Sequence, residues 1–180
     1  MSRVPNDAAA SRGGSLKSFA VIETGEIMSE VLLQTTLGDL RIELFEPTMP
    51  ITAGNFRKLV ERGFYDGVIF HRVIPGFMIQ GGDPTGSGTG GPGYTIKDEF
   101  SREHRNARGT LAMANAGPNT GGSQFFVNVV DNFRLDDKHP VFGKVVAGMD
   151  VADAISRVPR NRNDRPLKDV VIQKATVVHP

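Results

Sequence analysis

Glycine punctuation of short β-prone runs constrains this chain more than any other feature. Val31–Thr36, Leu40–Phe45, VIFHRVI from Val68, GTLAMAN from Gly109, QFFVNVV from Gln124, PVFGKVV from Pro140 and DVVIQKATVV from Asp169 are rich in β-branched and aromatic residues. Segments carrying turn residues separate them, so each run is held to strand length. Gly38-Asp39, between the first two, predicts the turn of an opening hairpin, because both residues tolerate positive φ. Helical spacing occurs in only two places. PITAGNFRKLVERG places Ala53, Phe56, Leu59 and Val60 on one face, with a proline at its start and Gly63 at its end, and MDVADAISRV repeats through Val151, Ile155 and Val158. Many short strands with two helices predict a mainly β fold, a closed antiparallel barrel capped by helices. Without internal repeats or β/α alternation, a doubly wound sheet is disfavoured.

The 180 residues suit one domain. Residues 1–30 are small, polar and aperiodic, and are expected to form a flexible extension ahead of a domain spanning 31–180. Within them Met28-Ser29-Glu30 reads as a chain start, which would make residues 1–27 an addition. The absence of cysteine removes disulfides, thiolate nucleophiles and soft zinc sites. With 21 basic and 20 acidic residues the net charge is +1, which asks for neither nucleic acid nor membrane as partner. The apolar run Phe19–Ile22 is too short for a signal-peptide core, so a soluble, cytoplasmic protein is expected.

Several motifs are weaker than they look. Gly86-x-Gly88-x-x-Gly91 matches a dinucleotide fingerprint, but Pro92-Gly93 follows where a helix should begin, so its amides would lack the helix dipole that a pyrophosphate needs. His71, His104, His139 and His179 have no close pair, so no metal site is expected, and His71 reads as a structural histidine. Ser123, in GGSQF, lacks the strained elbow of a serine hydrolase. Arg157, Arg160, Arg162, Arg165 and Lys168 form the one basic cluster, but with no interleaved aromatics to stack bases they read as a solvated loop.

Two stretches resist dismissal as core. FHRVIPGFMIQGGD, residues 70–83, reads as strand, turn and strand, and carries Arg72, Phe77, Met78 and Gln80. MANAGPNTGGSQFFVN, residues 113–128, adds the amides of Asn115, Asn119 and Gln124 beside Phe125 and Phe126. Together they offer an apolar pocket with a few convergent polar groups.

In this order and spacing FHRVIPGFMIQGGD, GTGG and MANAGPNTGGSQFF resemble the signature segments of the cyclophilin family of peptidyl-prolyl cis/trans isomerases, and the resemblance runs from about Val31 to Val178. It implies an eight-stranded antiparallel β-barrel capped by two α-helices, in a single domain of bacterial type. By that resemblance Arg72 is the catalytic arginine, and Phe77, Met78, Phe126 and Leu135 form the proline pocket. Gln80, Ala114, Asn115 and Gln124 line the groove for the peptide backbone, and His139, in LDDKHPVFG, stands at the pocket wall. The implied partners are proline-containing peptides and unfolded or folding proteins, bound by a monomer that uses no cofactor. One departure is visible: animal members carry a tryptophan just before the leucine of the L-D-x-K-H segment, whereas this chain has Phe133-Arg134-Leu135 and no tryptophan. Cyclosporin binding is therefore expected to be weak. The competing reading is a proline-peptide adaptor with little turnover; intact Arg72, Phe77, Gln80, Asn115, Phe126 and His139 weigh against it.

Overall fold

A computed structural model of the chain describes residues 28–178. The expected extension lies outside these residues as far as position 27, but Ser29 and Glu30 belong to the folded part. The Ser29 carbonyl accepts from the Leu44 amide at 2.9 Å, and the first strand opens at Glu30. In chain order the elements are β1 (Glu30–Thr35), β2 (Gly38–Leu44), α1 (Pro50–Glu61), β3 (Arg72–Ile74), β4 (Met78–Gly81), β5 (Thr110–Met113), β6 (Phe125–Asn128), a 3-10 turn at Phe133–Leu135, β7 (Val141–Ala147), α2 (Met149–Ser156) and β8 (Ile172–Val178). Among them no helix is long and apolar enough to cross a membrane.

The eight strands form one antiparallel sheet in the order β3-β4-β6-β5-β7-β2-β1-β8, curled round one core. The expectation of a closed barrel overstates the seam, because β3 and β8, at the two ends, share no ladder. Residues 67–70 bridge it instead, with Gly67 N on Ile172 O at 2.7 Å, Ile172 N on Val68 O at 2.8 Å and Phe70 N on Val170 O at 2.9 Å. The run VIFHRVI thus divides: its first half faces 170–172, and its second half becomes β3 and turns to β4. On the outer side of β3, the Val73 amide donates to the Asp164 carbonyl at 2.8 Å, so the 160–166 loop covers that edge.

The opening hairpin also differs from expectation. Its two-residue turn is Thr36-Leu37, and Gly38 already pairs with Thr35 as the first residue of β2. Thr35 Oγ1 organises the turn, accepting from the Leu37 amide and donating to the Gly38 carbonyl. Gly38 is required for a tertiary reason: its φ is +132°, and a Cβ there would stand 2.8 Å from Cγ2 of Val151 on α2.

Helix α1 follows its sequence signals. Pro50 takes the first turn, where its missing amide hydrogen is harmless, and the Thr52 amide donates to Glu99 Oε1 at 2.5 Å, a carboxylate cap supplied by a distant loop. The helix stops at Gly63, whose amide reaches Val60 O and whose φ of +70° turns the chain so that Phe64 N reaches Leu59 O. Its apolar face buries Ala53, Phe56, Leu59 and Val60. Phe56 lies 5.1–5.2 Å from the rings of Tyr65, Phe125 and Phe142 in tilted and edge-on contacts, the preferred geometries for aromatic pairs.

Candidate active site

Alternation along the strands separates core from groove. Val73, Ile79, Val127 and Leu111 stand in one row across β3, β4, β6 and β5, and none of the four is exposed. The neighbouring row is Arg72, Gln80 and Phe126, each directly opposite the next. Because directly opposed residues share a face, the register that buries Val73 puts Arg72 on the outer side. The charge inside an apolar run is thus an exposed side chain on the groove face, and among the described residues its guanidinium has no ion-pair partner.

The β3–β4 connection is a tight turn, Ile74-Pro75-Gly76-Phe77, closed by Phe77 N on Ile74 O at 3.1 Å with Gly76 at φ +71°. Proline followed by a positive-φ glycine is the demand of a type II turn, which explains the Pro-Gly pair and brings Phe77 back beside Arg72. Asn132 Nδ2 donates to the Phe77 carbonyl at 2.9 Å and fixes the loop that leads into the 3-10 turn carrying Leu135. His139 follows, with Nδ1 3.0 Å from the Met113 carbonyl and its ring edge-on to Phe126 at 5.4 Å. A carbonyl can only accept, so Nδ1 carries the hydrogen in that contact.

Nine of the ten expected site residues meet in one cavity of about 300 Å³: Arg72, Phe77, Met78, Gln80, Ala114, Asn115, Phe126, Leu135 and His139. Gln124, the tenth, lines an adjoining cleft of about 630 Å³ that shares Gln80, Ala114 and Asn115 with the first. Its amide is fully engaged: Oε1 accepts from Gln80 Nε2 at 3.0 Å, and Nε2 donates to the carbonyls of Gly88 at 3.0 Å and Gly90 at 2.9 Å. Gln124 therefore orients Gln80 and clamps the glycine-rich loop. Asn115 donates through Nδ2 to Lys138 O at 2.8 Å and accepts from the Gly117 amide on Oδ1 at 3.3 Å, and the Ala114 amide is held by Gln124 O at 3.0 Å.

The glycine-rich loop spends its donors internally. Asp83, fully buried, accepts from the amides of Thr85 (2.8 Å), Gly88 (2.6 Å) and Gly90 (3.0 Å) and from the hydroxyls of Thr85 and Ser87. Burial pushes its carboxyl up, but these donors outweigh burial and hold it far below the ordinary carboxylate range. The amides that a dinucleotide phosphate would need already serve a carboxylate of the chain itself. His71 is buried as expected, and burial holds its ring below the usual histidine value, with Asp83 opposing and Arg165 and Arg72 reinforcing the shift.

The sequence reading missed Arg134, which lies outside the cavity lining but packs over one of its residues. Its guanidinium lies 5.0 Å from the centre of the Phe77 ring, so a cation covers the rim at the position where the animal pattern has an indole. The departure in the motif was the available signal.

Residues 30–177 match the family described as "Cyclophilin type peptidyl-prolyl cis-trans isomerase/CLD". The chain belongs to the cyclophilin family. It is 50% identical over 158 residues to peptidyl-prolyl cis-trans isomerase CYP71 of Arabidopsis thaliana, covering 86% of this chain and 25% of that much longer protein. It is 47% identical over 155 residues to peptidyl-prolyl cis-trans isomerase ppi1 of Schizosaccharomyces pombe, covering 84% of this chain and 100% of the relative. A crystal structure of a cyclophilin-type isomerase of Cryptosporidium parvum, in the presence of the dipeptide Ala-Pro, superposes with a TM-score of 0.81 at 36% identity, covering 84% of this chain and 99% of that one. The eight-stranded, two-helix architecture is that of these cyclophilin structures.

Proposed function

We infer that this cyclophilin is a peptidyl-prolyl cis/trans isomerase that assists protein folding. It rotates Xaa-Pro peptide bonds without breaking them. One observation carries the reading: the side chains of Phe77, Met78, Phe126 and Leu135 line the 300 Å³ cavity together with Arg72, the single permanent charge in its lining. In the assignment proposed here, Phe77, Met78, Phe126 and Leu135 take the proline ring, Gln80 and Asn115 bind the flanking backbone, and His139 closes the wall.

Amide resonance opposes rotation by about 18–20 kcal/mol, and uncatalysed exchange takes on the order of tens to hundreds of seconds. At ~20 kcal/mol the rate is roughly 0.01 per second, so turnover near ~1000 per second requires lowering the barrier by about 6–7 kcal/mol. In the planar amide the prolyl nitrogen lone pair belongs to the π system; in the twisted state it becomes an acceptor. A guanidinium aimed at that nitrogen therefore binds the transition state selectively. A charge-assisted bond contributes about 1.5–3 kcal/mol, rising to ~2.7–4 in a dry site, and Arg72 becomes dry only when a peptide covers it. The remainder falls to the apolar walls, which disfavour the charge-separated planar amide, and to the groove amides that hold the flanking chain while the carbonyl turns. Burying ~100 Å² of proline ring at about 25 cal/mol per Å² contributes only ~2.5 kcal/mol, so simple peptides bind weakly.

We propose that the clients are folding chains with accessible prolines, and that cyclosporin binds weakly because Arg134 offers no indole. A protease-coupled isomerisation assay on a proline tetrapeptide compares wild type with Arg72→Ala. A loss of about 100-fold in kcat/KM is expected; equal rates overturn the mechanism.

A further inference from the structure

We propose that the cavity on the other side of Arg72 is a second peptide subsite that selects an acidic side chain close to the substrate proline. The inference rests on the isomerase reading above and deepens it. The cavity holds about 330 Å³, room for one side chain, and shares Arg72 and Gln80 with the proline pocket. A peptide leaving the proline pocket across that shared wall enters it. An extended chain advances about 3.3–3.6 Å per residue, so the positions two and three from the proline are the ones to test.

The lining is donor-rich and contains no carboxylate: Arg72, Gln80, Arg165, Asn161, Asn163, His71 and Ser87 supply its side-chain polar groups. Asn161 spends its Oδ1 on the amides of Asn163 (2.8 Å) and Arg165 (3.1 Å), which leaves its NH₂ group to donate. Arg165 makes only long contacts, 3.3 Å to Gly86 O and 3.5 Å to Asp169, and retains donors for a ligand. The nearby acids are committed or outside: Asp83 is buried under the glycine loop, Asp164 pairs with Arg160 at 3.1 Å, and Asp169 is not part of the lining. Such a surface attracts a carboxylate and repels a lysine or arginine. It also gives part of the basic run at 157–168 a purpose: the loop that covers the β3 edge presents Arg165 to the groove. A nucleic acid fits less well, because no phenylalanine, tyrosine or tryptophan lines the cavity to stack a base.

The test uses peptide pairs differing only by Asp or Asn, placed two or three residues before or after the proline. kcat/KM is measured by a protease-free exchange assay at low salt and at about 1 M salt, where the screening length falls to ~3 Å. At one position wild type should prefer Asp by about fivefold at low salt, the size of one part-exposed ion pair, and the preference should vanish at high salt. Within Arg165→Gln the Asp/Asn ratio should fall to one, while Arg165→Lys should keep most of it. A wild-type ratio of one at every position, or a preference that survives in Arg165→Gln, overturns the subsite alone. A protein that turns over neither peptide overturns the isomerase reading and the subsite with it. Equal peptide ratios together with RNA binding that Arg165→Gln abolishes would reassign the surface to nucleic acid.

Discussion

Replacing Asp83 by asparagine tests whether the glycine-rich loop is built round a buried negative charge. The side chain has no exposure, so water cannot replace what the substitution removes. Oδ2 accepts the Gly88 and Gly90 amides and Oδ1 the Thr85 amide and hydroxyl, so whichever way the new amide is turned, its NH₂ meets at least one N–H donor. Two charge-assisted bonds lost at about 1.5–3 kcal/mol each amount to ~3–6 kcal/mol. For a domain of this size, roughly 2–4 °C per kcal/mol converts this into a fall in Tm of about 6–24 °C. The pH dependence gives a second readout. The folded carboxyl lies far below its unfolded value of about 3.9, so its stabilisation is complete above that value and is lost as pH falls toward the folded one. Asp136 and Asp153 are also depressed and steepen the acid limb in both proteins, so the difference between wild type and Asp83→Asn isolates Asp83. Thermal unfolding followed by circular dichroism from about pH 2.5 to 7 should show the two curves converging in acid. A variant within ~2 °C of wild type at neutral pH, or a constant gap across that range, refutes the reasoning.

Arg72→Lys should lose most of the isomerase activity while its melting curve stays near wild type, because the exposed side chain contributes little to the fold and a point charge cannot reproduce the planar fork; near-normal turnover would sink the role given to the guanidinium. Phe126→Ala removes a ring that is 4% exposed and packed on His139, so about 3–5 kcal/mol of stability should disappear in urea titration and KM should rise in the same protein. Gly38→Ala should destabilise by roughly 1–3 kcal/mol through overpacking against Val151 and its positive φ. Adding Val151→Ala should recover the steric part, and a double mutant no better than the sum of the singles would show that the two do not touch.

The candidate site was legible because its parts lie in two continuous segments that become adjacent strands. FHRVIPGFMIQGGD supplies β3, the turn and β4, MANAGPNTGGSQFF supplies the first half of β6, and β4 pairs directly with β6. Leu135 and His139 came only through resemblance, since a 3-10 turn has too few residues to show a period. What stayed hidden depends on contacts between distant residues. Gly38 reads as a turn glycine, but its neighbour Val151 lies far along the chain, so sequence spacing placed the hairpin turn too late. Gln124 looks like a groove amide until its three partners are seen. The run at 68–74 has the composition of one strand, and only the curl of the sheet divides it between two partners.

The loop at 160–166 has a consequence for anyone redesigning the groove. Its Asp164 carbonyl occupies the Val73 amide on the last strand of the sheet, next to Arg72. Shortening the loop to widen the entrance would uncover a terminal strand, and an uncovered strand recruits others of its kind. Variants selected for broader clients by trimming this segment should therefore lose solubility before they lose catalysis, whereas side-chain replacements at Asn163 leave the backbone cover in place.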